Sequence, residues 1–238
     1  MKTTNKKEKI TTKTTNKKKT PKKIIYDFFV LDRSGSMQRI KDSTITGVNE
    51  YLNTARNDAK KTKIKTYFSL LTFDNEFDVV YDYVDILKVE NLTDKDFIPR
   101  NNTALRDATG RAITSLQNKL KGKENDENID VTITIFTDGY ENASTEYTHE
   151  TIAELIKKVQ DEYKWTVVYI GAGNKQKVLS IAKGMNINIT NTSSYTANSE
   201  DMKNMMHTNS ISRSTKTMNF AADIKSTVGY FVDPTTKV

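Results

Sequence analysis

At 238 residues and 36% hydrophobic content the chain is long enough to bury one substantial core, and its lack of cysteine excludes disulfides and thiolate metal sites. The net charge of +7 is unevenly placed: residues 1–23 carry ten Lys and one acidic residue, Glu8, a net of +9, so residues 24–238 sum to about −2. No run approaches the roughly 18 apolar residues of a membrane-spanning helix and no signal-peptide core follows the N-terminus, which points to a soluble, cytoplasmic protein without a membrane partner.

The basic leader "MKTTNKKEKITTKTTNKKKTPKK" offers Lys, Thr and Asn and almost nothing to bury, so residues 1–23 are expected to be a disordered tail. Such a tail either attaches electrostatically to nucleic acid or simply solubilises the chain. From Ile24 the pattern changes. "IIYDFFVL" (24–31) is apolar, β-branched and aromatic, as a central strand should be. Segment 39–60 places Val48, Leu52, Ala55 and Ala59 at helical spacing. Runs 63–73 and 76–84 are two strands separated by Asp74 and Asn75, a hairpin signal. Leu105, Ala108, Ala112, Leu116 and Leu120 mark a helix, 131–136 a strand, and Ile152, Leu155, Ile156, Val159 and Tyr163 an amphipathic helix. A strand at 165–170, a short helix at 174–183, a weak last strand at 187–190 and a helix from about Ser199 complete the pattern.

Strands alternating with helices predict an α/β fold: a doubly wound, Rossmann-like, mostly parallel sheet with helices on both faces and one antiparallel edge hairpin. The domain is expected to span residues 24–222, followed by a C-terminal tail at 223–238. In such sheets ligands bind at the crest formed by the carboxyl ends of the strands. Asp32 ends the first strand in "FFVLDRSGSMQRI", Asp138 follows the strand 131–136 in "FTDGYENAS", and Thr103 opens a helix in "NNTALRDA". Three distant segments thus deliver oxygen-bearing side chains to one edge. The alternation of Asp32, Ser34 and Ser36 lets those side chains turn toward one point, with Gly35 expected to remove the side chain where backbone crowding would be worst. A hard cation such as Mg²⁺ takes about six oxygens. Two carboxylates and three hydroxyls supply at most five, which leaves a position for an anionic oxygen from elsewhere.

"DRSGSM" resembles the D-x-S-x-S motif of von Willebrand factor A domains and their integrin I-domain relatives; "TALRDA" resembles their threonine segment and "FTDGYEN" their T-D-G segment. The resemblance implies a metal-ion-dependent adhesion site in which Asp32, Ser34, Ser36, Thr103 and Asp138 hold Mg²⁺ or Mn²⁺ and a partner protein's Asp or Glu completes the coordination. The expected function is therefore a noncatalytic, metal-dependent protein-binding module. Two alternatives stand beside it: a metal-dependent phosphohydrolase using Asp32 and Asp138, and a nucleic-acid-associated recruiting factor attached through residues 1–23. Against phosphatase chemistry, Ser34 stands where a second aspartate would act as general acid. His149 and His207 lie in no triad context, and "GAGNKQ" (171–176) lacks the third glycine of a dinucleotide loop. Asp107 and Asn142 are expected to shape the loops around the site, and Arg33 to be solvated, with a partner's acid as its other possible contact.

Overall fold

The computed structural model describes residues 22–225 and 229–231. Six strands form one sheet in the order β3-β2-β1-β4-β5-β6. β1 (Ile24–Asp32), β4 (Ile129–Thr137), β5 (Thr166–Ala172) and β6 (Thr192–Tyr195) run parallel, as does β2 (Lys65–Phe73) against β1. Only β3 (Phe77–Asp85) is antiparallel, paired with β2 through the turn at 74–76. β1 is covered on both faces, which is why its sequence is almost uninterruptedly apolar. The edge strand β3 instead is nowhere fully buried and carries the exposed Asp78 and Asp82, charges that discourage pairing with another chain.

Tyr26, Phe28 and Val30 of β1 face α2 (Leu105–Lys119), α3 (His149–Asp161) and α4 (Lys175–Gly184). Phe29 and Leu31 face α1 (Lys41–Thr62), α5 (Ser199–Ala221) and the connection 86–97. That connection climbs from the foot of β3 to the crest, burying Ile86, Val89, Leu92 and Phe97, and Asn49 of α1 clasps Leu92 by exchanging two hydrogen bonds with its backbone (2.9 and 2.7 Å).

The last strand lies later than the expected 187–190. Asn188 accepts the Thr190 N–H at 3.0 Å and caps a short 3-10 turn at Ile189–Asn191, so pairing with β5 starts at Thr192. Within the stretch read as a C-terminal tail, Tyr230 is buried and donates to Asn209 Oδ1 of α5 at 2.9 Å. Among the described residues no helix is long and apolar enough to cross a membrane.

Candidate metal centre

The strand order reverses between β1 and β4, so the loops leaving these two neighbours diverge to opposite faces and leave a crevice at their carboxyl ends. Asp32 closes β1 there and is fully buried. Its Oδ1 accepts the Ser34 backbone N–H at 2.6 Å, a local bond that turns the chain out of the strand, and its Oδ2 accepts the Thr137 hydroxyl at 2.5 Å. Burial pushes the Asp32 carboxyl up to about 6, against the lowering effect of Thr137 and Ser34, and the neighbouring Asp138 adds a smaller push upward. The Ser34 and Ser36 hydroxyls are 3.1 Å apart, and Ser36 donates to Asp138 Oδ1 at 2.5 Å. The Asp138 side chain is inaccessible to solvent even though the exposed Arg39 reaches its Oδ2 at 3.2 Å.

Thr103 arrives from the loop before α2 and is held by Asn142. The Thr103 N–H donates to Asn142 Oδ1 at 2.8 Å, and the Asn142 N–H donates to the Thr103 carbonyl at 3.0 Å. The expected loop-shaping part of Asn142 is therefore to fix the threonine. Asp107 does the corresponding work one turn into α2, accepting the backbone N–H groups of Thr145, Glu146 and Tyr147.

All five sequence-predicted residues thus meet at the crest. A Cβ at Gly139 would lie 2.8 Å from Thr103 Oγ1, 3.4 Å from Asp32 Oδ2 and 3.5 Å from Ser34 Oγ, so three of the five donors surround a space that only glycine leaves free. The donor set fits a hard divalent cation: two carboxylates offset its charge and three hydroxyls add neutral oxygens. Among the described residues no cluster of three His, Cys, Asp or Glu side chains offers an alternative centre.

Two expectations need correction. Arg33 is not solvated; it is 6% exposed and lies along the β2–β3 turn, where it pairs with Asp78 and approaches Asp74 Oδ2 at 3.5 Å. The antiparallel hairpin folds over it, which a single residue in a loop sequence does not foretell. Gly35 would accept a Cβ at an ordinary 3.5 Å from the Asn101 carbonyl, so the glycine that the site requires is Gly139. His149 and His207 are both exposed.

Sequence reasoning missed Thr137, Arg39 and Asp74. The position of Thr137, directly before Asp138 at a strand end, was a usable signal. Asp74 was legible only as a turn residue, because its part at the site is tertiary. It is fully buried and accepts Arg100 Nε at 2.8 Å, while its carbonyl accepts the Ala104 N–H at 2.9 Å, tying the hairpin to the loop that carries Thr103. Burial raises its carboxyl, but the Glu76 N–H and the guanidinium groups of Arg100 and Arg33 outweigh that and leave it below the ordinary range.

The sequence profile of the von Willebrand factor type A domain matches residues 28–225. The chain belongs to this family. No curated protein sequence matches it. The von Willebrand factor A fold of this chain is shared with the pilus adhesin SpaC from Lactobacillus rhamnosus GG (11% identity, TM-score 0.61, 86% of this chain and 30% of SpaC). It is also shared with the minor pilin PilB from Streptococcus sanguinis (12%, 0.56, 86% and 63%) and with the SpRpn10 VWA domain (14%, 0.53, 87% and 98%). At these identities the likeness is one of fold, and the chain spans less than two thirds of SpaC and of PilB. Von Willebrand factor A domains are protein-interaction modules, often with a metal at the crest.

Proposed function

We propose that this chain is a noncatalytic protein-binding module that holds Mg²⁺ or Mn²⁺ through Asp32, Ser34, Ser36, Thr103 and Asp138 and takes an Asp or Glu of its partner as a further ligand. The observation that carries this proposal is the space beside Gly139, bounded by oxygens of Asp32, Ser34 and Thr103. A bound divalent ion would supply an electrophilic centre for the partner's carboxylate, since two carboxylates and neutral hydroxyls leave it short of anionic oxygen. The chain's own residues prepare that centre. Thr137 orients Asp32, Asn142 fixes Thr103, and Ser36 links Ser34 to Asp138.

A phosphohydrolase would need a general acid or base at these carboxylates. Among the described residues, the side chains bonded to Asp32 and Asp138 belong to Thr137, Ser36 and Arg39, with no histidine or further carboxylate among them, and this favours binding over hydrolysis. Attachment to nucleic acid would rest on residues 1–21, which lie outside the described residues, and on Lys22 and Lys23. The absence of cysteine suits a cytoplasmic setting.

Calorimetric titration of the full chain with Mg²⁺ and Mn²⁺, followed by capture of partners in Mg²⁺ and in EDTA, tests the proposal. Saturable binding of one ion and release of the partner by EDTA are expected. Failure to bind either ion, or complexes that persist after the metal has been stripped, would overturn it.

A further inference from the structure

Gly139 forms part of a second feature, a groove of about 290 Å³ between the start of α2, the loop after β4 and α4. Its floor is apolar: Leu105, Tyr169 and Met185 are buried and Ile181 is half-buried. Its lip is polar. Arg106 stands at the head of α2 with its Nη2 3.6 Å from Glu141 Oε1 and its Nε unpartnered. Tyr140 stands upright at the rim, half of it exposed, with Lys177 Nζ 3.9 Å from the centre of its ring.

We propose that this groove receives a large apolar side chain of the same partner that supplies the acid to the metal, and that the recognised element is an acidic segment with a Leu, Met or aromatic residue within two positions of its metal-bound Asp or Glu. The proposal rests on the metal-dependent binding proposed above. Its first support is continuity. Gly139 lies at the groove's edge and against Thr103, and successive Cα atoms stand about 3.8 Å apart, so a chain anchored at the crest brings its next side chains to the groove. The second is chemistry. A floor of aliphatic and aromatic side chains under a polar lip suits an apolar group on a hydrophilic backbone. The third is charge. Arg106 is engaged with Glu141, but Lys177, over the Tyr140 ring, pairs with no carboxylate among the described residues, so the lip offers a cation to an acidic segment, the same sign that a metal centre selects. Burying one such side chain is worth roughly 10- to 100-fold in affinity.

The test is a selection from displayed random peptides carrying one fixed central Glu, made on the full chain in Mg²⁺ and in EDTA and repeated with Ser180→Trp. Ser180 is an exposed α4 residue at the groove, whose lining includes none of the five metal-site side chains, and the indole would fill the space. Peptides enriched only in Mg²⁺ should carry a large apolar residue one or two positions from the Glu. Replacing that residue by Ala should weaken binding to the unaltered protein at least tenfold, and Ser180→Trp should erase the difference while leaving calorimetric Mg²⁺ affinity unchanged. Mg²⁺-dependent peptides without an apolar preference, or with one that Ser180→Trp does not affect, would overturn the groove and leave the metal centre standing. A selection that yields no Mg²⁺-dependent peptide would overturn both.

Discussion

Asp32 is buried with no cationic partner among the described residues, and its carboxyl is raised to about 6 from the 3.9 or so of an ordinary Asp. The fold therefore binds this proton more tightly than the unfolded chain does. Its contribution to the stability of the metal-free protein is fully present below about pH 4 and is lost as pH rises to about 6, a change of about 3 kcal/mol for two pH units of displacement. A cation needs the ionised carboxylate, so metal affinity should climb over the same interval and level off above about pH 6. Thermal melts between pH 4 and 7, with and without Mg²⁺, check both trends. In Asp32→Ala both should vanish: metal binding is lost, and at pH 7 the metal-free protein is no less stable than the parent. Gly139→Ala should abolish metal binding by another route, because its methyl group would sit 2.8 Å from Thr103 Oγ1 in the space between the donors. Retained Mg²⁺ heats in that variant would show that the ion sits elsewhere.

α5 is joined to the sheet in an unusual way for a core-facing helix. Its buried stripe runs through Met202, Met206, Asn209, Arg213 and Thr217, so it turns polar halfway along. Arg213 is 1% exposed and bonds Asp27 of β1 through Nε and Nη2 (2.8 and 2.6 Å) and Asp58 of α1 through Nη1 (2.8 Å). Replacing it by Leu would leave two buried carboxylates without their partner, at a cost of about 3–5 kcal/mol in urea unfolding. Mg²⁺ affinity should remain, since Asp27 lies five residues, about 16 Å of strand, from Asp32. Because that seam is polar, hydrophobic periodicity marked only where α5 begins and not what it packs against.

The two halves of the molecule meet where the strand order reverses, and this topology makes one site of residues more than 100 positions apart, Asp32 and Asp138. The edges of the domain obey a different logic. Lys23 donates to the Phe220 and Ala221 carbonyls (2.7 and 3.2 Å) at the C-terminal end of α5, where a cation is favoured by the helix dipole. Deleting residues 1–21 should leave the melting temperature and metal affinity nearly unchanged, because their composition offers little to bury. Deleting through Lys23 should remove about 1 kcal/mol. Any nucleic-acid binding should go with the shorter deletion and weaken steeply with salt beforehand.

The amino-acid pattern alone was enough to establish the alternation of strands and helices, the buried status of β1, the edge hairpin and the five oxygen-bearing residues at the crest. Each of these is a local property: hydrophobic period, turn chemistry at Asp74 and Asn75, and polar residues where a strand ends. Tertiary structure alone decided the rest. Arg33 is covered because the β2–β3 hairpin closes over it, Asn142 and Thr137 act on partners 39 and 105 residues away, and β6 begins at Thr192 because that is where the chain comes alongside Tyr169. Gly139 and Gly35 look alike in the sequence, and only the approach of Thr103, Asp32 and Ser34 makes one of them indispensable. A local pattern records which face of an element is apolar; it does not record which polar groups long-range folding will bring within hydrogen-bonding distance.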